Sequence, residues 1–479
     1  MILGPETRPP FVANTHTTSR TNRESERDAP RAEPLVSARP RTIDEVGHLV
    51  RTAESAELTL ATVGAAWSPA RPDASPGMLV RMDGMVGVDD PDELGQVRVL
   101  AGTRIADLLQ HLRTRGLTLA SVPANCNMTI GGAVATSTHG SGLGAGPLSD
   151  EVVSVDMVVG GGRALRVEPA SWEVSRGTCP PNLTLVRDDD VFRSVVTSLG
   201  AMGVVSAVTL RTVPDYVLEE RRDLSTYEDL RALLSRPSLL SMFRDIAVQV
   251  NPYRRHRRHL ASVTRIRRAP VVPPRRARHN LTTRALDRMN VGHWAGAALA
   301  FTPRLAPLAI DSALRALAGA SFTGWSAEVL GGAPISDVGI AHAFEASVPV
   351  EDVVPCVDAL LELAERERSQ GRFLKAPITV RFVGASRHWL SPQYDRVSAA
   401  IEVISLIGGP DSGVELTPFM RLCLERGARM HFGLETRGVL SHPLLLANIP
   451  ELRRWRTIAE RLDPRRTFVH RMIADLGLR

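Results

Sequence analysis

A chain of 479 residues with 43% hydrophobic and 23% charged positions is long enough for two packed domains with cores of their own. The net charge of +6 is almost wholly arginine, Lys375 being the only lysine, and its setting in Leu-Lys-Ala-Pro excludes the Gly-Lys-Ser/Thr step of a Walker-type phosphate loop. No apolar run is long enough to span a bilayer, the first thirty residues read as a disordered tail without a secretory signal, and Cys126, Cys179, Cys356 and Cys423 form neither a metal pair nor a disulfide framework, so the expected compartment is cytoplasmic.

In chain order, Thr42-x-x-Glu45 makes a capping box for a helix reaching about Ala56, with Val46, Leu49, Val50 and Ala53 on one face. Leu58 to Val63 reads as a buried strand ending at Gly64. A second helix carries Ile105, Leu108, Leu109 and Leu112 at helical spacing and stops at Gly116. After a segment rich in Gly, Thr and His from Met128 to Gly146, a strand runs from Val152 to Val159 and returns over Arg163 to Val167. The turn Gly160-Gly161-Gly162 between them is not a dinucleotide fingerprint, because a strand follows it where that motif needs a helix. Asp190 then caps a helix that buries Val191, Phe192, Val195, Val196 and Leu199, and Gly200 and Gly203 close it before the strand Val204 to Leu210.

Pro214 marks a domain boundary. Between Arg254 and Arg278 the chain is basic, with His256, His259 and His279 adding to it and no acidic residue intervening. Such a run suits a contact with nucleic acid, acidic lipid or a phosphorylated substrate, or a solvated hairpin between strands Ile246 to Val250 and Leu260 to Ile266. Without interleaved aromatics for base stacking, the hairpin is the preferred reading. An Ala- and Leu-rich stretch from Trp294 to Ala320, broken by Pro303, Pro307 and Asp311, reads as a packed helical pair rather than a membrane-surface helix, and another helix runs from Glu351 to about Glu367.

The chemistry turns on the stretch from Thr129 to Gly142 (Thr-Ile-Gly-Gly-Ala-Val-Ala-Thr-Ser-Thr-His-Gly-Ser-Gly). Missing side chains let the main chain approach a ligand closely, and successive free N–H groups make a concave anion site. With the Thr and Ser hydroxyls as further donors, the stretch suits a pyrophosphate of about two negative charges. The same glycines also suit a plain turn.

Four stretches carry a resemblance: Thr62 to Ser68; Val97-Arg98-Val99-Leu100-Ala101-Gly102-Thr103; Met128 to Gly142; and Asp189-Asp190-Val191-Phe192 through Leu199-Gly200-Ala201-Met202-Gly203-Val204-Val205. Weaker similarity lies in Arg429-Met430-His431-Phe432-Gly433 and in Leu462 to Phe468. In these the chain resembles flavoproteins of the vanillyl-alcohol-oxidase type, and within them the sugar-lactone and alditol oxidase branch. The resemblance implies an α+β fold: a two-subdomain FAD-binding domain of the PCMH type over residues 31–214, an α+β substrate-binding cap over 215–428, and a C-terminal segment over 429–479 that returns to the FAD domain.

Residue by residue, it makes Gly64, Ala65, Ala66, Trp67 and Ser68 a phosphate-contacting loop. Thr129, Ile130, Gly131, Gly132, Thr136, Thr138, His139 and Gly140 become the walls along the ribityl chain and isoalloxazine, and the backbone at Gly203, Val204 and Val205 the flavin's other side. Many members carry a histidine in the first loop that bonds covalently to the flavin; Trp67 stands there in this chain, so FAD is expected to be non-covalent.

Alditol-oxidising relatives place a Glu-x-Arg pair on a cap strand, where this chain has Thr379 and Arg381, and a C-terminal lysine where it has Leu434. Decaprenylphosphoryl-ribose 2-oxidases are a second relative, with Lys-Asp-Ser-Arg in place of Leu434-Glu435-Thr436-Arg437. Arg381 is the expected stabiliser of a developing oxyanion, and His431, Glu402 and Glu435 are the acid–base candidates, His431 best placed by motif. The implied activity is oxidation of an alcohol or amine carbon of a sugar-like or natural-product substrate by hydride transfer to flavin N5. The implied partners are a small-molecule substrate and an electron acceptor, oxygen or another, and no nucleic acid or integral membrane segment. The rival expectation is a flavin-binding protein with lost or altered redox chemistry.

Overall fold

The structure, a computed structural model, describes residues 34–68, 77–171, 179–270, 299, 302–319, 321–331, 341–406 and 416–479. The expected N-terminal tail, the basic run beyond residue 270 and the first residues of the Ala-rich stretch lie outside the described residues.

The described residues open with a small parallel sheet in the order Val36–Ala38, Met78–Arg81, Leu60–Val63. Helix Ile43–Ser55 lays Val46, Leu49, Val50 and Ala53 onto a core shared with Met78, Val80 and Phe468. Thr42 caps it by accepting the Glu45 N–H at 3.2 Å, as the capping box requires. The reciprocal bond goes one residue earlier, with the Glu45 carboxylate accepting the Arg41 N–H at 2.7 Å.

A second sheet runs Gln96–Leu100, Val204–Arg211, Val152–Val159, Arg163–Glu168, Thr184–Arg187. The three-glycine turn joins two of its strands as an antiparallel hairpin. The following helix, Asp189–Val195, is capped two residues earlier than its sequence suggests. The Asp188 carboxylate accepts the Asp190 and Val191 N–H groups at 2.9 and 3.1 Å, while Asp190 itself binds Arg454 of the C-terminal helix Leu452–Leu462 at 2.7 Å. Three aspartates in a row offer three possible caps; the one that leaves both its neighbours inside the first turn is used.

The largest sheet has the order Ser321–Trp325, Val217–Thr226, Leu260–Arg268, Asp245–Val250, Ile378–Val383, Ser398–Leu406, Ala341–Pro349, Arg429–Met430, every pairing antiparallel. Side chains alternate across it with period two. On one face Val248, Val250, Ile378, Val380, Phe382, Phe344, Ala346, Val348, Ile401 and Val403 are buried, and helices such as Val353–Ser369 and Thr417–Glu425 pack against the sheet. On the other, the cross-strand register brings Gln249, Thr379, Glu402 and Glu345 into one row, which the main-chain bond from His431 N–H to the Glu345 carbonyl (2.9 Å) continues.

Pro307 does not break the Ala-rich helix but starts it, lying in the first turn of Ala306–Leu317, where a missing N–H costs nothing. Asp311 is buried in the same helix because Asn251 and Arg255 bind its two oxygens at 2.7 and 2.8 Å. In the described part of the basic run, Arg258 and Arg265 likewise meet Asp229 and Asp223, and the hairpin turns through Arg257 at a positive φ of 68°. Among the described residues no helix is long and apolar enough to cross a membrane.

Candidate active site

The glycine-rich stretch folds as a short helix, Ile130–Ala135, followed by a turn, and it is the hub on which the other nominated segments converge. Gly64, at the end of strand Leu60–Val63, lies so close to Thr129 that a Cβ there would sit 2.0 Å from the Thr129 hydroxyl. Only glycine lets these two segments touch. Leu199 N–H donates to the Ala135 carbonyl at 3.2 Å, bringing in the loop before Gly203, and Ser68 donates to the Gly433 carbonyl at 2.8 Å, bringing in the C-terminal segment. At the far end, Gly142 N–H bonds the Phe382 carbonyl at 2.5 Å. A positive φ of 124° and the Arg244 carbonyl, 2.2 Å from any added Cβ, make glycine obligatory there.

The nominated cofactor residues divide by role. Ile130 and Val204 are fully buried in hydrophobic cores, and Gly203 packs against the Val158 carbonyl, so these three can offer a ligand only main chain. Gly131 packs against Ala101, Gly132 is exposed, and Val205 is half-buried on its strand. Thr136 and Thr138 pair through their hydroxyls at 3.1 Å. Among the described residues, the main-chain N–H groups of Ala65, Ala66, Trp67, Gly132, His139 and Gly140 meet no main-chain acceptor, and Ala66 holds a left-handed φ of 55°. Unclaimed donors on converging turns are the chemistry an anionic diphosphate needs.

Against this hub stands the polar row of the large sheet. His139 Nε2 lies 2.7 Å from Glu345 Oε1, and its Nδ1 lies 2.7 Å from the Gly140 carbonyl. Arg381 bridges two strands, reaching Glu402 at 2.9 Å and Glu345 at 3.6 Å. His431 sits edge-on to His139, ring centroids 6.2 Å apart, and its Nδ1 accepts the Gly433 N–H at 3.1 Å. That bond leaves the ring proton of neutral His431 on Nε2, a donor.

Burial disfavours charge on Glu345, which is 3% exposed, yet His139, His431 and Arg381 together outweigh it and hold its carboxyl at about 2. Burial likewise works against a charged His139, but the Glu345 carboxylate and the Gly140 carbonyl raise its pKa above the usual value. For His431 burial lowers the pKa; Glu345 opposes this and the neighbouring His139 reinforces it.

His431, Arg381 and Glu402 are thus brought together with His139. Glu435 is not: its carboxylate is bound by Arg437 at 2.6 Å and neighbours His342, on the opposite face of the strand from Glu345. Sequence reasoning missed Glu345. Its one local sign is a lone acidic residue inside the apolar alternation Phe344, Ala346, Val348 of strand Ala341–Pro349.

The fold and the donor-rich hub define an FAD-binding protein of the PCMH type. The family described as an FAD binding domain matches residues 34–168, and a cholesterol oxidase from B. sterolicum has the same fold, with a TM-score of 0.71 at 16% identity over 99% of this chain and 100% of that one. The family described as D-arabinono-1,4-lactone oxidase matches residues 208–476, and the chain belongs to that family. It is similar to the D-arabinono-1,4-lactone oxidase of Eremothecium gossypii, 28% identical over 204 residues, 42% of this chain and 35% of that protein. It is similar also to an alditol oxidase of a Streptomyces species, 34% identical over 200 residues, 41% of this chain and 42% of that one. The alignments therefore span less than half the length of either relative. FAD is the cofactor the site fits: the amides of Ala65 to Trp67 and of Gly132, His139 and Gly140 would hold its diphosphate and ring system.

Proposed function

We propose that the protein oxidises an alcohol carbon of a neutral, sugar-like polyol or lactone, with non-covalently held FAD as hydride acceptor. One observation carries this reading: the Arg381–Glu402 pair and His431 lie on the sheet face that meets the glycine-rich hub. The Thr379 departure does not empty the site of its carboxylate, because Glu402 stands directly across from Thr379 on the neighbouring strand and is already paired with Arg381.

FAD, when bound, supplies the two-electron redox chemistry that no side chain can. Glu402 is held through Oε2 by Arg381, and its other oxygen accepts the substrate hydroxyl proton as the carbon gives up hydride. His431 Nε2–H donates to a second substrate oxygen. Glu402 and His431 flank Glu345 on opposite sides, two strand spacings or roughly 10 Å apart, a span that suits a chain of several hydroxylated carbons. Arg381 already faces two carboxylates, so among the described residues this guanidinium is not free to meet an acidic substrate. Trp67 offers no nucleophile for a covalent flavin bond.

An absorbance spectrum of the purified protein followed by acid precipitation tests the cofactor half of the reading. A yellow protein that leaves its colour in the supernatant is expected. Colour in the pellet would contradict non-covalent binding, and a colourless protein that takes up no FAD would contradict the whole reading.

A further inference from the structure

The hydrogen-bond partners of the two histidines of the site, together with the charge of Arg381, point to opposite protonation states. Both partners of the His139 ring, the Gly140 carbonyl and the Glu345 carboxylate, are acceptors at 2.7 Å. A carbonyl oxygen cannot donate, and neither can an ionised carboxylate. Glu345 is ionised because its second oxygen faces the guanidinium of Arg381, which stays charged at any ordinary pH. Both nitrogens of His139 must therefore carry protons, whereas His431, whose Nδ1 accepts an amide N–H, carries one. Among the described residues, the charged or titratable groups facing Glu345 are His139 from the glycine-rich turn, Glu402 from the adjoining strand, Arg381 from the strand beyond it, and His431 from the C-terminal segment.

We propose that Glu345 is a positioning residue of the site: it holds His139 as a permanent buried imidazolium, and that fixed positive charge favours the electron-rich form of the bound flavin. A cation in a water-poor cavity stabilises nearby negative charge far more than it would in solvent. The side chains of Glu345 and His139 are 4% and 3% exposed, so water screens the pair little. The strand supplies the aim. Glu345 sits in regular register opposite Glu402, which sets its side chain on the face that meets His139, and His139 and Arg381 each hold one of its two carboxylate oxygens. The consequence for the flavin rests on the FAD reading above; the charge on His139 does not.

The test is the 15N and 1H signals of His139 in the full-length protein over roughly pH 5 to 9, assigned with His139→Gln. The parent should show both ring nitrogens protonated throughout. In Glu345→Gln the pKa of His139 should fall by about one unit or more, tenfold in its protonation equilibrium, and Glu345→Asp should recover part of the loss. The flavin's reduction potential, measured by equilibration with redox dyes, should become more negative in Glu345→Gln, which a merely structural carboxylate would not cause.

A singly protonated His139 in the parent, or one whose pKa does not fall in Glu345→Gln, would overturn the proposal. An unchanged potential at a pH where His139 is charged in the parent and neutral in the variant would overturn its second half. Should Glu345→Gln not fold, the parent spectrum decides alone, double protonation supporting the assignment and single protonation refuting it. If the protein holds no flavin, the histidine signals still decide the charge, and the failure belongs to the functional reading.

Discussion

The two faces of the large sheet are built from the same strands by the same alternation, yet they do different work. Phe344, Ala346 and Val348 bury themselves under the helices; Glu345, between them, meets His139, Arg381 and His431. One residue of register separates stability from chemistry, so a one-residue slip of strand Ala341–Pro349 would place a carboxylate in the core and a phenyl ring in the site. Where the resemblance leads one to expect a Glu-x-Arg pair along one strand, Arg381 is paired instead with Glu402, which stands directly across from Thr379 on the adjacent strand.

That contrast can be broken by substitutions on each face. Phe344→Ala should give the largest effect, a loss of about 3 to 5 kcal/mol of stability in denaturant melts from the cavity left at a fully buried ring. Its flavin reduction rate per folded molecule should stay close to the parent's; a specific loss of rate would show that the two faces are not separable. Glu402→Gln should do the reverse, slowing flavin reduction roughly a hundredfold or more with little change in melting. His431→Gln, which keeps a donor, should be milder than His431→Ala, and equal rates in both would remove His431 from the reaction.

A pH profile sharpens the comparison, because the buried histidines outside the site behave differently from His139. Burial pushes His388 and His470 to about 4, below the ordinary 6.5, so the unfolded chain takes up their protons first as pH falls. Their contribution to stability is complete above about pH 6.5 and is lost between there and about pH 4. His139, with a raised pKa, has the opposite sign: its contribution is complete below its unfolded value and is lost only as pH climbs through the folded one. Melting temperatures should therefore fall across the acid window, and His388→Gln should flatten part of that slope; an unaltered slope would place the acid sensitivity elsewhere. The smallest effect expected is at the helix cap, where Asp188→Ala should cost about 1 kcal/mol and Asp190→Ala, which loses only a surface ion pair with Arg454, less.

What could be read from the sequence was local. The capping residue Thr42, the helix ending before Gly116, the hairpin through Gly160 to Gly162 and the glycine-rich segment all announce themselves within a few neighbouring residues. The partners of Arg381 do not. Glu402 lies 21 positions after it on the next strand, within reach only in the register those two strands adopt, and Glu345 lies 36 before it on a strand that the sheet order sets beyond Ser398–Leu406. The tautomer of His431 is hidden for a different reason: it follows from a local turn in which Gly433 folds back onto the ring, and the residue types do not spell out that turn. Glu435 lies apart from the polar row, because a motif places a residue along the chain and does not say which side of the sheet its side chain will take.

The most direct test of the account is anaerobic mixing of the yellow protein with a neutral polyol or sugar lactone and, separately, with the matching sugar acid, following the flavin absorbance. Bleaching by the neutral compound and little or none by the acid is the predicted result. Bleaching by the acid alone, or by neither compound nor any other neutral polyol, would contradict the claim that the Arg381–Glu402 row and its histidines form a site for oxidising an uncharged alcohol.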